Sequence, residues 1–294
     1  MTVAPEEPSR ICNVRNTLGE GVLWDHRTAK LQWTDIESAC LWQWDLSDAD
    51  PVRFDLPERL GSLALTDDPS VFLGAFESGF ARFTLDPHSY DLLAPVTQSA
   101  AHLRMNDGRV DRSGRFWAGS MAERDGDPLG SLWRYDGHNK ATAHIHNLRI
   151  PNSLCWSGDG RTMYFADSPR CAIWAYDFDP EAGPVGEPRI FAETPLGIHP
   201  DGSCIDVEDH LWNAQWGGGE VVRYRPDGSV ERRLKLPVSQ PSCVAFAGKD
   251  LDLLCITSAR VDLSERDLAN QRWAGALLVY QTDVTGRPEA LCSN

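Results

Sequence analysis

A short apolar strand, a tight turn carrying Asp or Gly, an aromatic-rich strand and a third strand closing on Tyr or Trp beside Asp recur six times along the chain. The clearest copy runs from Asn152–Ser157 through the turn Gly158-Asp159-Gly160 to Thr162–Ser168 and Ala172–Asp179, with Arg189–Thr194 as its fourth strand. Apolar residues alternate in the second and third strands, which is the period of a half-buried sheet, and the Gly/Asp turns are hairpin signals. First strands begin near Glu20, Gly61, Asn106, Asn152, Asp201 and Ser242, so the repeat advances by 41, 45, 46, 49 and 41 residues. One such unit cannot bury its apolar faces alone, and a radial array at this period builds a propeller around a central channel. The expected fold is all-β, a six-bladed β-propeller with four-stranded blades, occupying residues 1–294 as a single domain. The sixth copy runs out of chain after Gly275–Asp283, with only Glu289–Cys292 left for an outer strand, while the strand-like Arg10–Arg15 precedes the first blade. Arg10–Arg15 is therefore expected to close the ring beside the last blade.

Charge excludes several function classes. With 43 Asp and Glu against 28 Lys and Arg the net charge is −15, which repels phosphate backbones and anionic membrane surfaces. No nucleic-acid or membrane partner is expected. The opening MTVAPEEPSR lacks the apolar segment of a secretory signal, and no apolar run approaches the roughly 18 residues of a membrane span. The eight cysteines show no C-x-x-C spacing and lie mostly in apolar runs, where a thiol behaves as a small hydrophobe. These features fit a reduced, cytoplasmic protein, expected as a monomer or weak oligomer. There is no G-x-S-x-G elbow, and Gly217-Gly218-Gly219, lacking the lysine of a phosphate loop, reads as a turn.

The phase of the repeat says where chemistry belongs. First strands line a propeller's channel, so the residues that enter them converge at one end of the axis: Glu20, Gly61, Asn106, Asn152, Asp201 and Ser242. Asn, Asp and Gly are also common wherever a loop becomes a strand. Convergent carboxylate and amide oxygens without Cys or His match a hard cation such as Ca²⁺ or Mg²⁺, whereas zinc draws nitrogen or sulfur. Ionised Glu20 and Asp201 would neutralise a divalent ion; unpaired, they would repel and raise one pKa. Two long second-to-third connections project over the same end: Met121–Gly130, carrying Glu123, Arg124, Asp125 and Asp127, and Ser258–Ala274, with a helix-like Leu263–Leu268. Arg104 approaches this mouth, either to hold a substrate oxygen or to pair with Asp107 or Asp111. His199, two residues before Asp201, is a further candidate for a hydrogen bond to substrate.

Leu18-Gly19-Glu20-Gly21, Arg104-Met105-Asn106-Asp107-Gly108-Arg109-Val110-Asp111, Gly119-Ser120-Met121-Ala122-Glu123, Pro151-Asn152 and Pro200-Asp201-Gly202, in this order and at propeller spacing, resemble the SMP-30/gluconolactonase/regucalcin-like family. The resemblance implies a six-bladed propeller and a metal-dependent sugar-lactone hydrolase. It implies Glu20, Asn152 and Asp201 as metal ligands, Asp201 also as general base, and Arg104, Asn106 and Glu123 as substrate contacts. One divalent ion is expected, Ca²⁺ first, with Mg²⁺, Mn²⁺, Zn²⁺ or Fe²⁺ left open. Two positions depart from the family pattern: Ser153 stands where Gly commonly follows the ligand Asn, and His199 stands where an aromatic or aliphatic residue is frequent.

The expected reaction is hydrolysis of an aldonolactone to the open-chain sugar acid, the metal polarising the carbonyl and Asp201 activating water. Two alternatives stay open: hydrolysis of another ester or phosphotriester on the same site, and a non-catalytic calcium-binding or docking propeller.

Overall fold

Five residues after the six blade-entering positions stand Asp25, Thr66, Asp111, Ser157, Asp206 and Ala247. All but the alanine fold the first hairpin of their blade through a side-chain bond. Asp25 Oδ1 accepts the Arg27 N–H at 3.0 Å, Asp111 Oδ1 accepts those of Ser113 and Arg115 at 2.8 and 3.1 Å, and Asp206 Oδ1 accepts those of Glu208 and His210 at 2.9 and 3.0 Å. Ser157 Oγ accepts from Thr162 N at 3.0 Å, and Thr66 Oγ1 donates to the Val71 carbonyl at 2.8 Å. Short polar side chains stabilise turns in just this way, by replacing a backbone partner. In blades three and five the second carboxylate oxygen accepts an indole N–H, from Trp117 and Trp212, both at 2.9 Å, which ties each turn to its next strand.

The computed structural model describes residues 7–293 apart from 48, 98–101 and 124–126. They form six four-stranded antiparallel sheets, the blades of a propeller. The inner strands are Gly19–Asp25, Leu60–Leu65, Leu103–Val110, Pro151–Trp156, His199–Ile205 and Pro241–Ala247. Trp33, Trp117, Trp156 and Trp212 are fully buried in the layers between blades, where bulky aromatics supply the largest apolar area per residue. The Gly217–Gly219 segment is a turn. No helix among the described residues is long and apolar enough to cross a membrane.

The last blade takes strands from both ends of the chain. Arg10–Cys12 pairs antiparallel with Leu277–Gln281, Ile11 lying opposite Leu278, in the sheet that holds Pro241–Ala247 and Leu253–Ser258. The strand stops at Cys12, short of Arg15. Glu289–Cys292 takes no place in this blade. The segment crosses the far mouth of the channel instead: Val207 N donates to Thr285 O at 3.0 Å, Arg287 Nε to Asp206 O at 2.9 Å, Cys292 N to Leu65 O at 2.7 Å and Ser293 N to Gly114 O at 2.8 Å. Within the channel Glu289 meets Arg109 at 3.2 Å. With Arg10–Cys12 holding the outer position, the C-terminal residues are left to strap blades five, two and three across that end.

The two long connections lie at the opposite mouth. Residues 259–276 carry the helix Glu265–Asn270, capped by Ser264 and Asp267 in a reciprocal capping box. This insertion leans on the entry to blade one, where Arg260 N and Val261 N both donate to Thr17 O at 2.9 Å. In blade three Glu123 N donates to His102 O at 3.0 Å; Arg124 and Asp125 fall outside the described residues.

Candidate functional site

Each inner strand carries one extra residue near its entry. The register passes from Glu20↔Thr34 to Leu23↔Gln32, from Asn152↔Ala166 to Cys155↔Tyr164 and from Pro200↔Gln215 to Ser203↔Asn213, with counterparts in the other three blades. Such a bulge breaks the strict alternation of a strand and re-aims the side chains beside it. After Glu20 the chain turns through Gly21 at φ 57°, and after Asn152 through Ser153 at φ 63°. The left-handed region is natural for the glycine and costs the serine on the order of 1–2 kcal/mol. Ser153 Oγ and Ser203 Oγ share a hydrogen bond of 2.7 Å, a partial compensation across to blade five.

The slots of blades two and six are taken up by contacts between blades. A Cβ at Gly61 would lie 2.6 and 2.7 Å from the Asn106 and Met105 carbonyl oxygens, so the second inner strand packs backbone to backbone against the third. Ser242 Oγ donates to the Gly19 carbonyl and bonds Thr257 Oγ1 at 2.9 Å, facing blade one.

Glu20, Arg104, Asn106, Asp107, Asn152 and Asp201 are all buried. Burial pushes the Glu20 carboxyl up to about 8, with neighbouring Asp107 adding to the effect, and Glu20 lies within hydrogen-bonding reach of Asp201. Asp201 is held well above the usual carboxylate range by burial first, then by Glu20 and Asp107. Asp107 is raised by its own burial while its carboxylate accepts Leu154 N at 2.9 Å. Asp201 Oδ1 is buried with no hydrogen-bond donor among the described residues. An oxygen in that condition calls for a proton or a cation.

A chain of oriented bonds crosses from blade three to blade five. Arg104 Nη1 donates to Asn106 Oδ1 at 2.6 Å, Asn106 Nδ2 to Asn152 Oδ1 at 3.0 Å, Asn152 Nδ2 to Ser168 Oγ at 2.8 Å, and Ser168 Oγ to the Pro200 carbonyl at 2.7 Å, one residue before Asp201. Both amides are fixed in orientation by bonds at each end, and Asn152 Oδ1 keeps a second lone pair. His199 Nδ1 donates to the Ser168 carbonyl at 3.1 Å, so this ring stands beside the same chain.

At the rim Arg104 Nε approaches Glu123 at 3.3 Å; the arginine pairs with neither Asp107 nor Asp111. Glu123 is itself gripped by Arg59 through bonds of 2.6 and 2.9 Å. The sequence reading missed Arg59, Asp107 and Ser168. Arg59 was within reach of it: the residue stands two before Gly61, as Arg104 stands two before Asn106 and His199 two before Asp201. Asp107 adjoins a named slot and becomes visible only through the bulge that turns it inward. Ser168 lies in the second-to-third turn of blade four and gives no signal in the sequence.

The donor set is suited to a hard divalent ion: two carboxylates, one of which has an orphaned oxygen, and an amide oxygen with a free lone pair. No trio of His, Cys, Asp or Glu able to hold a metal occurs among the described residues, so any such ion would depend on the amide.

Residues 18–260 match the model of the SMP-30/Gluconolactonase/LRE-like region. The chain belongs to this family. An L-arabinolactonase of Azospirillum brasilense is 40% identical over 95% of this chain and 93% of its own, and a 6-deoxy-6-sulfogluconolactonase of Pseudomonas putida is 35% identical over 95% and 97%. The crystal structure of a calcium-binding regucalcin from Agrobacterium tumefaciens is 30% identical and superposes with a TM-score of 0.93 over 99% of this chain and 100% of that one. Against the family pattern noted above, Ser153 keeps the left-handed backbone that glycine would adopt, and His199 is held on blade four's turn.

Proposed function

We propose that this member of the family hydrolyses a sugar lactone to the open-chain aldonic acid. The observation that carries the reading is the buried Glu20–Asp201 pair with its orphaned oxygen, placed at the end of the Arg104–Asn106–Asn152 chain. Glu20, Asn152 and Asp201 would hold one divalent ion, with Ca²⁺ the first candidate by donor chemistry. When bound, such an ion supplies Lewis-acid polarisation of the lactone carbonyl.

The chain's own groups do the rest. Asp201, ionised when the cation is held, takes a proton from the water that attacks the carbonyl carbon. The ester C–O bond of the ring then breaks, and the proton passes to the departing ring oxygen, which becomes a hydroxyl of the acid. Arg104 offers donors, and Asn106 Oδ1 and Glu123 offer acceptors, to the sugar hydroxyls, and His199 retains its second ring nitrogen for the same purpose. A positioned carboxylate base of this kind contributes about 10²–10⁴-fold.

The test is acid release from a panel of aldonolactones, followed with a pH indicator on EDTA-treated protein before and after adding Ca²⁺, Mg²⁺, Mn²⁺ or Zn²⁺. Metal-restored opening of a subset of lactones supports the reading. Inert lactones, with metal raising thermal stability, would point to a binding propeller instead.

A further inference from the structure

Glu37, Glu77 and Glu123 lie at corresponding places, in the connections between second and third strands of blades one, two and three. All three carboxylates converge on Arg59. Its Nε donates to Glu77 Oε2 at 2.9 Å, its Nη2 to Glu77 Oε1 and Glu123 Oε2, both at 2.9 Å, and its Nη1 to Glu123 Oε1 at 2.6 Å while also facing Glu37 at 3.5 Å. A guanidinium has five N–H donors. Four are engaged and the fifth is turned to a third carboxylate, so Arg59 has no edge to offer a ligand. Arg104, beside it at this mouth, gives its Nε to Glu123 and its Nη1 to Asn106 and the Met105 carbonyl.

We propose that Arg59 is a specificity-determining residue: caged by Glu37, Glu77 and Glu123, it presents Glu123 to the sugar hydroxyls while withholding its own charge, which restricts the substrate to uncharged lactones. This inference rests on the lactone-hydrolysis reading. Three carboxylates surround Arg59, and a sulfonate, phosphate or uronate group entering beside them meets net negative charge, with every Arg59 N–H already turned to a carboxylate. Like charges brought together at a binding surface are strongly disfavoured. A neutral polyol, by contrast, carries no charge to be repelled; it can donate a hydroxyl to the remaining lone pair of Glu123 Oε2 and accept from the Nη2 donors of Arg104, for which no protein partner occurs among the described residues.

The experiment compares kcat/KM for glucono-1,5-lactone with that for its 6-sulfo and 6-phospho counterparts, in the metal-loaded protein, its Glu77→Gln variant and its Arg59→Met variant. Each ratio is taken within one protein, so a general loss of activity cancels. The wild type is expected to take the anionic lactones at below roughly one hundredth of the neutral rate. Glu77→Gln, freeing one side of Arg59, raises the anionic-to-neutral ratio by about tenfold, equivalent to one decade of affinity; Arg59→Met lowers it. If Glu77→Gln fails to fold, Glu37→Gln asks the same question. Comparable turnover of anionic and neutral lactones by the wild type, or variants that move the ratio in the same direction, overturns the inference and leaves lactone hydrolysis standing. Silence on all three lactones removes the hydrolytic reading and this inference with it.

Discussion

Asp201 is placed both to hold a cation and to move a proton, and substitution separates these roles only if metal loading is followed alongside turnover. Asp201→Asn, which keeps shape and an oxygen donor, is expected to lower kcat by about 10²–10⁴-fold. Near-normal turnover with metal bound, shown by a retained metal-induced rise in Tm, would remove Asp201 as the base. A second residue acts by having no side chain. Gly61→Ala drives a methyl into the Asn106 and Met105 carbonyls, and overpacking of this kind costs typically 1–3 kcal/mol. Denaturant unfolding is expected to show that loss, and because the clash falls on the backbone of Asn106, KM for the lactone should rise with it. Glu20, Asn106, Asn152 and Asp201 were legible in the sequence because a single phase of the repeat picks them out. Arg59, two residues before the Gly61 slot, was overlooked because that slot is a glycine and drew no attention, although its partners Glu37, Glu77 and Glu123 each stand just after the second strand of their blade.

At the level of elements, alternation and turn chemistry carry nearly everything. Asp25, Asp111 and Asp206 announce their hairpins by position, and the apolar periods of the inner strands announce their burial. The bulges were not legible, since an inserted residue shows only when two strands are set side by side; they are also what turns Asp107 and Asp201 toward the channel together. The path of Glu289–Cys292 could not be read either, because the choice between an outer strand and a channel strap depends on whether another segment already fills the edge. Arg10–Cys12 fills it. Deleting residues 1–13 exposes the edge of a strand whose Leu278 and Val279 are fully buried, and the lost burial of Ile11 alone is worth up to roughly 1.5–3 kcal/mol. A fall in Tm of at least about 3 °C is expected by calorimetry, with light scattering rising as the bare edge recruits other chains. An unchanged melting curve would mean that the strand contributes nothing to closure.

For the whole molecule, the acidic cluster couples stability to pH. Glu20 has a native-state pKa of about 8, against a usual value of 4.5. Between these values the unfolded chain has released its proton and the native protein has not, so in EDTA-treated protein the contribution of Glu20 is fully present below pH 4.5, is lost as pH rises, and levels off above about 8. Saturating Ca²⁺ should flatten that slope, since a bound cation favours the ionised carboxylates in the native state. Thermal melts at pH 5, 6, 7 and 8 with and without Ca²⁺ check this; a metal-free Tm that climbs across the range would contradict it. The shared last blade has a consequence in time as well. Ser9 Oγ donates to the Val279 carbonyl across 270 residues, and at a synthesis rate of about 5–20 residues per second the first strand waits roughly a quarter of a minute to a minute for its partner. Throughout that interval the nascent protein is an open fan with an unmatched segment at its leading end, available to chaperones and to neighbouring chains on the same message.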